Sequence, residues 1–240
     1  MIIVMLITAV ETTGDVFATG EIVDKKIGKK DIARALRADG LATSIVGVMN
    51  SFPNTCFAER FGALPLEYAE SLGWIGEDVW FAHGVHFFAD AEVARLGSTR
   101  TGVADCPTSN ARLGSGIART RDLRDAGARV GIGVDGAASN EACAMIDDVR
   151  HALLFARAKG GPQALSVRDA LELATVGGAA VLGRADELGS IELGKIADLA
   201  LWRIDSYAHA DIADPVAALV LGSPPPIARL FVNGVSVVED

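Results

Sequence analysis

Residues 102–140 read GVADCPTSNARLGSGIARTRDLRDAGARVGIGVDGAASN, and their order of patterns decides the fold class. A short apolar run at 102–104 ends on Asp105 and opens into the loop CPTSNARLGSG. A helical stretch follows at 119–126, which Gly127 is placed to end. A second apolar run, RVGIGVD at 129–135, then opens into the loop GAASN. Strand, loop, helix and strand at this spacing make a parallel βα unit. Upstream, VWFAH at 79–83 reads as a fully buried strand and residues 90–96 as a short helix. Downstream, a helix is expected over 142–159, stopped by Gly160, Gly161 and Pro162. Ser166 and Asp169 then form a capping box for a helix at 167–175. After Gly189 the pattern turns to β, with a strand at 198–203 and the hairpin LFV–Asn233–Gly234–VSVV, whose Asn-Gly pair suits a type I′ turn.

Composition narrows the class further. The chain has 240 residues, 50% of them apolar, enough to bury a sizeable core. Its formal net charge of −9 argues against broad binding to nucleic acid or anionic lipid. Three dispersed cysteines, Cys56, Cys106 and Cys143, make no disulfide framework, so a reducing cytoplasm is the expected compartment.

In parallel βα folds, chemistry gathers where strands run out into loops at their C-terminal ends. Three runs here end on a polar group: His83, Asp105 and Asp135. Each taken singly fits a turn or capping residue as well as a functional one. Together they would share one mouth. Asp135 has the chemistry to ligate a metal and accept a proton from metal-bound water, and His83 to hydrogen-bond that water. His86 is placed to line the same pocket. His151 and His209 read as satisfied or solvent-facing, and Cys106 and Cys143 as small apolar residues.

The stretches ERFGALPLEYAESLGW, DVWFAHGVHF, GVADCPTSNARLGSGIA, VGIGVDGAASN and GSIELGKIADLAL resemble, in this order, the aminohydrolase branch of the amidohydrolase superfamily. The resemblance implies a (β/α)8 barrel with a small β-sandwich. It implies one divalent metal, zinc or iron, and hydrolysis of a C–N bond on a purine, pterin, pyrimidine or triazine ring. On it, His83 matches the sixth-strand histidine that assists proton transfer, and Asp135 the eighth-strand metal ligand and base. Asp105 and Asn110 fall in the seventh-strand element beside the substrate, where the family's usual residue at position 105 is histidine. The family also uses an HxH pair on strand one and an HxxE element on strand five. All four histidines here lie at or after position 83, so both elements are missing. The expected fold is therefore α/β, a partial barrel of strands six to eight over 59–188 with a sandwich portion over 189–240. Metal binding is expected to be weak or absent and the chain inactive alone, since zinc catalysis rests on three protein ligands.

The front of the chain is different. Residues 1–10 are apolar apart from Thr8, Glu11 and Asp15 interrupt, and four lysines crowd positions 25–30 before a second apolar stretch. Membrane helices around a cytoplasmic loop and a buried strand beside a solvated charge run both fit this pattern. MIIVMLITAVETTGDVFATGEIV and DIARALRADGLATSIVGVMNSFPNTCFAE resemble the xanthine/uracil permeases, in which Glu11 and Asp15 would lie near a purine site and Asp39 in the following element. Residues 1–58 thus read as a permease-like appendage, joined to the hydrolase-like body after Ala58. Three activities are carried forward: a truncated hydrolase, a nucleobase-transporter fragment with membrane contact through 1–58, and one half of a split hydrolase. An open half barrel leaves strand edges unpaired, so oligomers or aggregates are expected unless the N-terminal segment covers an edge.

Overall fold

The computed structural model describes residues 62–239. The permease-like stretch with Glu11, Asp15 and Asp39, together with Cys56, lies outside the described residues.

Two three-stranded sheets organise the rest. Strands β1 (Trp80–Ala82), β2 (Gly102–Asp105) and β3 (Arg129–Ile132) are parallel, in the order β1-β2-β3. Phe81 pairs with Val103, and Val103 with Val130. Strands β4 (Leu199–Trp202), β5 (Ile227–Val232) and β6 (Val235–Glu239) are antiparallel, in the order β4-β5-β6. The turn between β5 and β6 is the expected Asn-Gly pair, with φ of 50° at Asn233 and 77° at Gly234. Both values are positive, as a type I′ turn demands.

Helices α1 (Pro65–Ser71), α2 (Asp90–Ser98), α3 (Pro107–Arg112), α4 (Thr120–Asp125), α5 (Met145–Gly160) and α6 (Val167–Glu172) follow in chain order, then α7 (Gly178–Val181) and α8 (Pro215–Leu221). Leu96 of α2, Leu123 of α4, Leu153 of α5 and Val103 of β2 are fully buried in one core, which Val220 of α8 also enters. Arg129 closes the N-terminal end of the parallel sheet. Its guanidinium donates to the carbonyls of Arg100 at 2.8 Å, Ala180 at 3.0 Å and Val79 at 3.4 Å. The opposite, C-terminal end is left to the loops.

Several boundaries differ from expectation, each for a physical reason. The loop after Asp105 contains α3. Pro107 occupies the first helical position, where its missing N–H costs nothing, and the Asn110 amide donates back to the Cys106 carbonyl at 2.9 Å. The strand expected to reach Asp135 stops at Ile132, because β2 ends at Asp105 and the ladder has no further partner. The run at 79–83 is not fully buried. Trp80 is 46% exposed, since among the described strands β1 has a neighbour on one side only. The helix expected from 142 starts at Met145, after Cys143 takes a positive φ of 45°. The helix at 167–175 is α-helical only to Glu172 and then widens into a π turn, Leu173–Gly177. The wider turn brings Gly177 against β3, where a Cβ would sit 2.3 Å from the Val130 carbonyl oxygen. The Ser166–Asp169 capping box forms as read, with the Asp169 amide donating to Ser166 Oγ at 3.1 Å.

Candidate active site

The C-terminal ends of β1, β2 and β3 deliver His83, Asp105 and Asp135 to one place. Two ladder-like bonds carry the chain just past the strands. The His83 amide donates to the Ala104 carbonyl at 2.7 Å, and the Gly133 amide to the Asp105 carbonyl at 2.8 Å. Beyond them His83 and Asp135 both enter the left-handed region, with φ of 68° and 62°. That conformation costs a non-glycine residue on the order of 1 kcal/mol, and strain of this kind collects at functional sites.

Asp135 is held by three donors. Ser109 Oγ reaches its Oδ2 at 2.5 Å and Ser139 Oγ the same oxygen at 2.9 Å, while the Gly136 amide donates to Oδ1 at 2.8 Å. Partial burial alone would raise its pKa. The bonds from Ser109, Gly136 and Ser139 outweigh that and hold the carboxyl below the ordinary range, so it is ionised at neutral pH. His83 Nε2 lies 3.9 Å from Asp135 Oδ2, an ion-pair distance too long for a hydrogen bond.

Behind this pair runs a chain of hydrogen bonds that is buried from Asn110 inward. His83 Nδ1 meets Asn110 Oδ1 at 2.9 Å, Asn110 Nδ2 donates to Asp105 Oδ1 at 3.0 Å, and Thr120 Oγ1 donates to Asp105 Oδ2 at 2.7 Å. Asp105 is only 5% exposed, and burial pushes its pKa up from 3.8 to about 6 against the opposing bonds from Thr120 and Asn110. Its carboxylate faces the protein interior, toward Asn110 and Thr120. His86 is half-buried and packs edge-on against Phe88, with ring centroids 5.3 Å apart.

A second buried group braces the loops. Asp148, on the inner face of α5, accepts from the Thr108 amide at 3.1 Å and from Asn140 Nδ2 at 2.8 Å. Asn140 also donates to the Val134 carbonyl at 2.9 Å, which ties the Asp135 loop to α3 and α5. Ser109, Ser139 and Asn140 lie inside the loops CPTSN and GAASN, where residues of these types are expected of any turn. Asp148 is marked in the sequence only by its helical spacing, which places it on the face of Val149, Ala152 and Leu153. His151 is satisfied by Thr108 Oγ1 at 2.9 Å and His209 by Ser206 Oγ and the Ser223 carbonyl, each at 2.8 Å. Burial, with Asp135 adding to it, raises the Cys106 thiol to about 12, which leaves it inert at neutral pH.

Strand-end His and Asp at one mouth of a parallel sheet agree with the stretches quoted from the sequence, and comparison with known proteins decides the family. Residues 57–237 match the model of the Amidohydrolase family. The chain belongs to the amidohydrolase family. Over 182 residues it is 44% identical to an 8-oxoguanine deaminase of Pseudomonas aeruginosa, a match covering 76% of this chain and 40% of the relative. It is 41% identical over 196 residues to an isoxanthopterin deaminase from an unknown prokaryotic organism, covering 75% of this chain and 40% of that one. Among solved structures, the amidohydrolase body resembles an adenosine deaminase of Xanthomonas campestris with bound zinc (TM-score 0.74, 28% identity, 78% of this chain and 43% of that chain). It also resembles the atrazine chlorohydrolase TrzN of Arthrobacter aurescens TC1 complexed with zinc (TM-score 0.73, 34% identity, 78% and 42%). The chain spans about 40% of the length of the curated relatives it matches. Residues 1–71 match a second model, described as Permease family. Among the described residues no helix is long and apolar enough to cross a membrane.

Zinc in these structural neighbours raises the question of fit. Among the described residues no group of three or more His, Cys, Asp or Glu is placed to hold a metal ion. Asp135 already accepts three hydrogen bonds, and His83 directs one ring nitrogen to Asn110. One carboxylate and one imidazole nitrogen do not make the three-ligand site that zinc hydrolases use. The described residues do not fit a caged divalent ion by themselves.

Proposed function

We propose that residues 59–240 are the strand-six-to-eight portion of an amidohydrolase barrel with part of its β-sandwich, built for hydrolytic deamination of a purine- or triazine-type ring and inactive in isolation. Body and sandwich portion divide near residue 188. The observation that carries this reading is the His83–Asp135 pair, raised on left-handed backbone at the ends of β1 and β3 with no third ligand beside it among the described residues. Asp135, ionised and held by three donors, is the proton acceptor. His83, with one nitrogen facing Asp135, is the group that hydrogen-bonds and relays the proton. A divalent metal in a complete site would activate the attacking water. In this reading the groups of the described residues only position, accept or return a proton. The small-molecule ring is the partner; the acidic surface disfavours nucleic acid.

Residues 1–58 form the permease-like segment of this proposal, joined to a hydrolase body that works in the cytoplasm, and any membrane contact belongs to that segment. The outer edges of β1 and β3 are the surfaces through which copies of the chain, or a chain supplying the HxH and HxxE elements, would pair.

The test is direct. The purified full chain, supplied with zinc or iron, is assayed for bound metal by elemental analysis and for ammonia release from 8-oxoguanine. Substoichiometric metal and ammonia at the blank rate are expected. Adding a polypeptide that carries the HxH and HxxE elements of a related deaminase should raise both. Stoichiometric metal with ammonia release by the chain alone would overturn the proposal.

A further inference from the structure

The polar chain behind His83 has a direction. Asp105 and Asn110 are 5% and 3% exposed, so water does not compete for their hydrogen bonds. A carboxylate can only accept. Asp105 accepts from Thr120 on Oδ2, so the group it faces on Oδ1 must be the amide nitrogen of Asn110. With that nitrogen turned inward, the amide oxygen of Asn110 is the atom left facing His83 Nδ1 at 2.9 Å. An oxygen acceptor there requires a proton on Nδ1. The neutral ring then carries an unprotonated Nε2 on the side of Asp135.

We propose that Asp105 is a positioning residue: acting through Asn110, it holds neutral His83 in the Nδ1–H tautomer and so presents a bare Nε2 to the reacting side of the site. This rests on the reading of His83 as the proton-relaying group and adds the device that prepares it. Without Asp105 the Asn110 amide could turn over and offer its nitrogen to the ring, which would demand the opposite tautomer. An imidazole with hydrogen on Nε2 would face Asp135 as a donor and could not take up a proton there. The buried carboxylate therefore decides whether His83 begins as a base or as a donor, although it touches neither substrate nor reacting atoms. Thr120 is subordinate. Its hydroxyl satisfies the far oxygen of Asp105 but does not orient Asn110.

The tautomer is read by 15N-detected correlation spectroscopy of the histidine rings in the full chain at pH 8, where Asp105 is ionised. His83 is assigned through H83Q. The expected wild-type spectrum shows Nδ1 as the protonated, pyrrole-like nitrogen and Nε2 as the unprotonated one. D105A should move His83 toward the Nε2–H form, and T120V, which disturbs the same buried place, should leave the tautomer unchanged. His209, satisfied elsewhere, reports in each variant that the fold is kept. A wild-type ring protonated on Nε2 would overturn the proposal, even if D105A failed to fold. So would an unaltered tautomer in folded D105A, or an equal shift in D105A and T120V. Because the spectrum needs neither metal nor turnover, an inactive chain with the expected tautomer, or an active one without it, separates this proposal from the functional reading beneath it.

Discussion

The two sheets among the described residues have three strands each and are built on opposite terms. In the parallel sheet, β2 and β3 are almost wholly buried, helices pack against the strands, and the strand ends carry His83, Asp105 and Asp135. In the antiparallel sheet, Leu201, Val232, Val235 and Val237 are all substantially exposed, and the strands are held by their ladder and an Asn-Gly turn. The difference shows where precision is needed. Groups that must meet to within a few tenths of an ångström stand on the sheet whose backbone has the least freedom to shift. The peripheral sheet needs only its register.

The contrast can be broken most severely in the core. Leu153→Ala, at a fully buried position over the parallel sheet, should lower unfolding free energy by about 2–5 kcal/mol. Val237→Ala on the antiparallel sheet should stay within about 0.5 kcal/mol. Urea denaturation of both variants checks this, and comparable losses would erase the distinction between the sheets.

Asp105 sharpens the same comparison through pH. Its native pKa of about 6 stands above the ordinary 3.8, so between these values the native state holds a proton that the unfolded chain has released. Stability from this group is therefore full in acid and falls as pH rises from about 4 to about 6, by up to about 3 kcal/mol, and is level above that. Asp105→Asn keeps a carbonyl for Asn110 and an amide N–H₂ for Thr120 but cannot ionise. The difference in stability between wild type and variant, measured against pH, should show this slope, and a flat difference would contradict the burial.

A smaller effect is expected at Asp135. Ser109→Ala removes a 2.5 Å charge-assisted hydrogen bond and should cost about 2 kcal/mol at pH 7 while raising the Asp135 pKa toward the ordinary range. Carbonyl 13C titration follows the second part. Smallest is Asn233→Ala, which loses a side chain tolerant of positive φ at the hairpin and should cost about 1 kcal/mol by thermal denaturation, with the site's titrations unchanged.

Much of the framework was legible because it rests on local rules. Alternating strand and helix patterns mark the βα units, Ser166 with Asp169 marks a helix start, and Asn233-Gly234 marks the hairpin, each within a few residues. What escaped were features whose cause lies in another segment. The α3 helix hides in a stretch rich in turn residues. The π turn at Leu173–Gly177 answers to the Val130 carbonyl across the sheet. At the site, His83 and Asp135 were evident as strand-end groups, and the quoted motifs were specific enough to mark the family. The inward turn of Asp105 could not be read, because an aspartate at a strand end looks alike whether it faces substrate or a buried threonine.

The order of chemical groups along the chain determined the parallel βα class, the family and the absence of any histidine before position 83, since periodicity, turn residues and motif spacing are properties of neighbours in sequence. Only the tertiary structure decided which of those groups face one another. Hydrogen bonds between residues 15 to 43 positions apart, those joining Thr120 with Asp105, His83 with Asn110 and Thr108 with His151, depend on distances that no local pattern encodes.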